Sequence, residues 1–248
     1  MLSDGDLIFP GWPAPANVKS LQTTRTGGFS AAPYDSLNLG MHVGDDPLLV
    51  ARNRQQLNRH VPTEPVWLNQ VHGITVVDAA LASCVPDADA AFARRSGTVC
   101  VTMTADCLPV LLCDRQGSVV AAAHAGWRGL CDGVIEATVE AMHAAPDSLM
   151  AWLGPAIGPQ AFEIGEEVRQ AFIAAHSDAI SAFTPSSQGK WLGNLYLLAR
   201  QRLNRLGVTA VYGGGIDRDF CTFTDQARFF SFRRDGATGR MASMIWLA

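Results

Sequence analysis

The sequence predicts an α+β protein built as a single domain. Short apolar, β-rich segments cluster in the middle of the chain and recur at its end, and helical periodicities lie among them without strict βαβ alternation. The 248 residues are 48% hydrophobic and only 17% charged, where a disordered chain would have less apolar matter and more net charge. Pro and Gly are spread evenly, with no repeat, low-complexity stretch or long linker, so residues 1–248 read as one unit.

Taken along the chain, Val18-Lys19-Ser20-Leu21-Gln22-Thr23 alternates as a half-buried strand does. A helix is expected around Pro47 to Leu57. Trp67-Leu68-Asn69-Gln70-Val71-His72-Gly73 reads as a short strand ending in His and Gly. Thr98 to Met103, Pro109 to Cys113 and Ser118 to His124 are short, β-rich strands. Leu130, Val134, Ala137 and Ala141 recur at i, i+4, i+7 and i+11, the face of one helix. Met150 to Leu153 is a strand. A helix follows from about Gly165, with Val168, Phe172 and Ala175 on one face and Glu166-Glu167 in its first turn, where the helix dipole favours them. Leu195, Leu198, Arg202, Leu203 and Leu206 mark another helix, stopped at Gly207. Ala210 to Tyr212 and Met244 to Leu247 are the last strands.

The net charge is −4, from 19 Lys+Arg against 23 Asp+Glu, which disfavours a nucleic-acid binder of the electrostatic kind. The six cysteines form no CxxC pair, and a disulfide-built domain would be shorter and denser in Cys. Residues 1–6 carry neither the basic nor the apolar region of a signal peptide. The longest apolar stretch, Val99 to Cys113, is interrupted by Asp106 and Pro109 and is too short for a bilayer. These features predict a reduced, cytoplasmic protein without membrane contact. Nothing in them points to a protein partner.

Chemistry concentrates at three strand ends. Thr104-Ala105-Asp106-Cys107-Leu108-Pro109 sets polar groups between two apolar strands. His124-Ala125-Gly126-Trp127-Arg128-Gly129 ends a strand and turns into a helix, and His72 ends the 67–73 segment. His72, Cys107 and His124 have no zinc-finger spacing. If the fold brings them together, two imidazoles and a thiolate suit zinc, with a fourth position open for water. Zinc lowers the pKa of such a water to about 7. The residue types alone equally allow Cys107 as a nucleophile with His124 or His72 as its base. Cys100, Cys113 and Cys131 read as core, and His60, His143 and His176 as solvated; His42 stands in the Gly-rich segment 38–44. Gly213-Gly214-Gly215 follows a strand but is not a dinucleotide or phosphate loop. Among Arg25, Arg128, Arg233, Arg234 and Arg240, Arg128 is the first candidate for phosphate, by its place four residues after His124.

Several of these segments together resemble the YfiH-like, laccase-domain family. They are Asn38-Leu39-Gly40 with His42-Val43-Gly44-Asp45-Asp46, Asn69-Gln70-Val71-His72-Gly73, the 104–109 and 124–129 segments, Leu153 to Gly158, Phe229-Phe230-Ser231, Arg233 to Gly236 and Thr238 to Ala242. They cover nearly the whole chain in order. The chain departs from the pattern at Gln160-Ala161-Phe162-Glu163, where relatives often carry Cys, and at Asn194, where Asp is expected.

The resemblance implies a layered sandwich of β-sheets flanked by helices and a zinc held by His72, Cys107 and His124. It also implies a purine nucleoside phosphorylase with adenosine deaminase activity, acting on a nucleoside and phosphate. Asn38, Gln70, Arg128 and Arg233 become candidate substrate or phosphate contacts, and Asp106 the candidate proton carrier. The older description of the family is a polyphenol oxidase. A multicopper centre needs a mononuclear copper and a trinuclear cluster, and the chain has six His without a His-x-His pair. A single His₂Cys site can still take copper, which binds more tightly than zinc. Other readings are amide hydrolysis removing a wrongly attached serine from a peptidoglycan precursor, a metal-free Cys–His hydrolase, and a binding module.

Overall fold

The computed structural model describes residues 2–214 and 220–248. In chain order its strands are β1 (Leu7–Ile8), β2 (Val18–Thr23), β3 (Val76–Asp78), β4 (Ala90–Ala93), β5 (Cys100–Thr104), β6 (Leu108–Asp114), β7 (Val120–Ala125), β8 (Leu149–Leu153), β9 (Glu163–Ile164), β10 (Phe183–Pro185), β11 (Trp191–Gly193), β12 (Ala210–Gly213) and β13 (Met241–Leu247). The α-helices are α1 (Pro47–Leu57), α2 (Trp127–Asp132), α3 (Val134–Ala141), α4 (Glu166–Ala175), α5 (Leu195–Leu206) and α6 (Phe232–Asp235).

Two sheets carry the architecture, as the α+β reading expects. One has four strands in the order β1-β2-β13-β5, the other six in the order β12-β8-β6-β7-β4-β3. The six-stranded sheet is mixed, because its edges β12 and β3 pair in parallel while its centre is antiparallel. The strands alternate in period two, so each sheet presents two faces. Val18, Cys100 and Ile245 of one sheet meet Ala91, Leu111 and Trp152 of the other to form the layer between them. Val110, Leu112 and Ala123 on the far face of the larger sheet pack with Val134, Phe172 and Leu203 from α3, α4 and α5. Leu21, Val101 and Met244 on the outer face of the smaller sheet pack with Leu57 of α1 and Leu39.

Two expectations need correcting, and one sheet went unannounced. The helix read through Leu130 and Ala141 is broken into α2 and α3 at Gly133, whose φ of 109° only glycine adopts readily. Segment 67–73 is not a strand. Val66 and Asn69 each make one isolated bridge, and His72 has a φ of 61°. A third sheet, β10-β11-β9, has strands of two or three residues, too short for a periodicity to announce it. Gly215 of the glycine run lies outside the described residues.

Candidate metal centre and its cleft

Strand pairing brings the chemistry to one end of the larger sheet. Leu108 pairs with Ala125 and Pro109 with His124, so Cys107, one residue before β6, lies beside His124 near the end of β7. On the other side of β7, Ala90 pairs with Ala123, which sets Asp89 against His124. The backbone N–H of His124 donates to Asp89 O at 2.7 Å.

Asp89 organises the site, and the sequence reading did not single it out. It is fully buried, and a buried carboxylate must be compensated. Its oxygens accept from the backbone N–H groups of Val71, His72 and Gly73 at 3.1, 2.9 and 2.7 Å, and from His124 Nδ1 at 2.8 Å. One carboxylate thus holds the 71–73 turn in its left-handed form and fixes the His124 ring. With Nδ1 engaged, His124 offers Nε2 outward, the arrangement that orients metal-ligating imidazoles. Burial pushes the Asp89 carboxyl up, but these hydrogen bonds prevail and hold it below the usual range.

The ligand atoms of His72, Cys107 and His124 lie within 4.8 Å of one another. His72 Nε2 is 3.8 Å from Cys107 Sγ, and the two imidazole rings meet edge-on at 4.8 Å. Burial raises the Cys107 thiol, but the His124 and His72 imidazoles outweigh it and bring it from 9.0 down to about 6. Burial lowers His124, but the Cys107 thiolate and Asp89 raise it to about 9. Without a metal, thiolate and imidazolium form an ion pair. The thiolate is the form of cysteine that binds metals. Gly126 makes the convergence possible. A Cβ there would lie 2.7 Å from His72 Cδ2, 3.1 Å from Cys107 Sγ and 3.4 Å from His124 Cε1. Two imidazoles, a thiolate and a buried carboxylate behind one imidazole fit a divalent metal of borderline softness. Among the described residues this is the one group of three or more His, Cys, Asp or Glu able to hold an ion.

The trio lies in a cleft with two lobes that share Ala105, Cys107 and Phe232. One lobe, about 260 Å³, is lined by the two imidazoles, His42, Gln70, Thr104 and Arg240. The other, about 170 Å³, is aromatic and aliphatic, with Trp127, Ile157, Phe162 and Leu195 on its walls and Arg233 at its rim. A larger cavity of about 660 Å³ beside α1, between Phe29 and Arg52, lies away from the metal ligands.

Residues 19–248 match the family model described as multi-copper polyphenol oxidoreductase laccase. The chain belongs to this laccase-domain family. It is 58% identical over 241 residues to a purine nucleoside phosphorylase of Pseudomonas aeruginosa, covering 97% of this chain and 98% of that protein. It is 53% identical over 244 residues to the purine nucleoside phosphorylase YfiH of Escherichia coli, covering 97% and 98%. The crystal structure of the Neisseria meningitidis protein NMB0706 superimposes with a TM-score of 0.95 at 53% identity, covering 98% of this chain and 99% of that one. YlmD of Geobacillus stearothermophilus superimposes with a TM-score of 0.83 at 30% identity, over 96% and 94%.

Within this laccase-domain fold the remaining candidates separate. Gln70 lines the cleft, but its amide bridges the end of β5, donating to Met103 O at 2.8 Å and accepting from Met103 N at 2.7 Å. Asp106 has a φ of 98°, and its carboxylate accepts from Thr222 Oγ1 at 2.6 Å and from Arg233 N at 2.7 Å. Both oxygens are engaged, so Asp106 ties the 222–233 wall to the site. Asn38 is buried. Its Oδ1 accepts from Gly40 N and Arg240 N, each at 2.9 Å, and its Nδ2 donates to Asp45 at 2.9 Å, so it faces the interior instead of a ligand. Arg128 is exposed, its guanidinium 4.9 Å from the Trp127 ring centroid, and it lines neither lobe. Arg233 borders the apolar lobe and donates to Glu163 O at 2.7 Å. His42 and Arg240, which the sequence did not favour, are in the cleft.

Proposed function

We propose that the chain is a metal-dependent purine nucleoside enzyme that phosphorolyses adenosine-, inosine- and guanosine-type nucleosides and deaminates adenosine. The observation that carries this reading is the His72–Cys107–His124 group at the junction of an aromatic lobe and a cationic one. The names of the relatives in Pseudomonas aeruginosa and Escherichia coli support the phosphorylase part. The donor set favours zinc, though it also accepts copper, and a single three-ligand group argues against a multicopper oxidase. A zinc ion bound there would act as a Lewis acid and make water nucleophilic at neutral pH. We place the enzyme in the cytoplasm, where its six free thiols stay reduced. No helix among the described residues is long and apolar enough to cross a membrane.

The chain's own residues supply the rest. Trp127, Phe162 and Phe232 offer flat apolar surface to a purine, where ring stacking adds about 0.5–1.5 kcal/mol beyond burial. Asp89 keeps His124 in the tautomer whose Nε2 faces the cleft. In deamination water adds at C6 of adenine and ammonia leaves. In phosphorolysis a phosphate oxygen bonds to C1′ as the glycosidic bond breaks, and the proton carried by dihydrogen phosphate goes to the departing base. The test is adenosine turnover by metal-loaded protein with and without phosphate. The expected products are inosine in both cases, and free base with ribose 1-phosphate only when phosphate is present. Neither inosine nor free base would overturn the reading.

A further inference from the structure

Among the described residues, Arg240 in the polar lobe makes no ion pair with a carboxylate. Arg240 stands one residue before β13, and its Nη1 donates to Thr238 O and Gly239 O at 3.0 and 3.1 Å. Among the described residues its Nε and Nη2 have no hydrogen-bond partner, and no carboxylate lies in ion-pair reach. The guanidinium is half-buried, and burial lowers its pKa, while Cys107, Asp106 and Tyr34 act in the opposite sense. Leaving a half-buried guanidinium unpaired costs stability unless an anion is its working partner. The other arginines among the described residues of the 222–240 region are engaged elsewhere: Arg228 pairs with Asp225, Arg234 binds Asp235 and three carbonyls, and Arg233 binds Glu163 O.

The surroundings of Arg240 suit an oxyanion. Among the described residues no Asp or Glu lines this lobe, whereas His42 does. Thr104, paired with Met241 across β5 and β13, lines it too, and its buried hydroxyl has no hydrogen-bond partner among the described residues. The position of Arg240 is built in. Asn38 Oδ1 accepts from both Arg240 N and Gly40 N, Leu39 N donates to Arg240 O, and a Cβ on Gly40 would lie 2.8 Å from Arg240 Cγ. Asn38 thus couples the loop carrying His42 to the residue carrying the guanidinium.

We propose that Arg240, with His42 and Thr104 beside it, forms the subsite for a tetrahedral oxyanion, inorganic phosphate, the co-substrate in the reading above on which this inference rests. A guanidinium fork takes two phosphate oxygens at once, and the Thr104 hydroxyl supplies a third donor. The fourth oxygen is then free to bond to C1′ of a nucleoside whose base occupies the aromatic lobe, as the glycosidic bond breaks.

The test is calorimetric titration of inorganic phosphate into metal-loaded protein, paired with the phosphate dependence of ribose 1-phosphate formation. Arg240→Gln is expected to weaken phosphate binding by at least about tenfold with metal content unchanged, and Arg240→Lys to recover part of it by charge without the fork. His42→Ala, at an exposed position, is expected to weaken binding by about threefold, which keeps the proposal testable should Arg240→Gln not fold. Unchanged phosphate affinity in Arg240→Gln and His42→Ala, or a loss in Arg128→Gln instead, would overturn it. Tighter binding of adenosine 5′-monophosphate than of phosphate, with the excess lost in Arg240→Gln, would assign the subsite to a substrate's own phosphate and overturn it as well. Phosphate binding that needs Arg240, without ribose 1-phosphate from any purine nucleoside, would support the subsite and sink the nucleoside reading. Ribose 1-phosphate formation with an unaltered phosphate KM in Arg240→Gln would do the reverse.

Discussion

Replacing Gly126 with alanine adds one methyl group in the middle of the metal ligands. The backbone there, with φ −61° and ψ 156°, is open to alanine, so the effect is one of space. The new carbon would sit 2.7 Å from His72 Cδ2, and restoring an ordinary contact of 3.4 Å requires a displacement of about 0.7 Å. Metal–ligand distances tolerate about 0.2 Å. His72 cannot yield easily, because Asp89 holds the backbone N–H groups of residues 71–73. Zinc affinity is therefore expected to fall by about 10–100-fold, the range seen when a ligand's support is removed. Overpacking is expected to cost the metal-free protein about 1–3 kcal/mol. Chelator competition measures the first quantity and denaturant unfolding of metal-free protein the second. A folded Gly126→Ala protein that binds zinc as tightly as the wild type would refute the geometry.

The remaining expected outcomes concern the same site and its supports. Asp89→Asn should lower zinc affinity by about 10–100-fold by releasing both the His124 ring and the 71–73 turn, as read by the same competition. In metal-free protein, ultraviolet absorbance of the thiolate should titrate at about 6 for Cys107, against an ordinary 9.0, and should vanish in Cys107→Ala. The stabilisation from the lowered Cys107 is lost as pH falls through about 6, and that from the raised His124 as pH rises through about 9. Between about 6.5 and 9 the folded pair and the unfolded chain bind equal numbers of protons, so this pair gives no slope of stability with pH; a steep slope there that vanishes in Cys107→Ala would contradict the ion pair. Asp106→Asn sets an amide against Arg233 N–H and should raise the nucleoside KM without moving the pH profile of kcat; a lost limb of that profile would make Asp106 the proton carrier. Tyr196→Phe leaves the buried Ala156 N–H without the hydroxyl that accepts from it at 2.9 Å, and should cost about 1–3 kcal/mol of unfolding free energy with metal content unchanged.

Much of the fold was legible because its strands are bounded by local signals. Val18–Thr23 forms the strand expected of it although Leu21, Gln22 and Thr23 are buried in succession, Pro47–Leu57 begins at an Asp–Pro cap, and Gly207 stops α5 with φ 91°. The His72, Cys107 and His124 positions were legible as polar groups at the ends of apolar segments. Asp89 was not, since a single carboxylate before an apolar strand looks the same whether it is solvated or buried under four donors. The 67–73 segment was misread because its apolar residues gave a strand pattern while its amides answer to Asp89. Arg240 and His42 were named but not preferred, because β5–β13 pairing and Asn38, not spacing, bring them to the ligands. Arg128 was favoured for its nearness to His124 in sequence, but the first turn of α2 points it to solvent.

Elemental analysis of freshly purified protein tests the central claim most directly, with His72→Ala and Cys107→Ala beside the wild type. One zinc ion per wild-type chain is expected, and its loss from both folded variants. Wild-type protein that turns over adenosine without stoichiometric metal, or that carries several copper ions per chain, would contradict the claim.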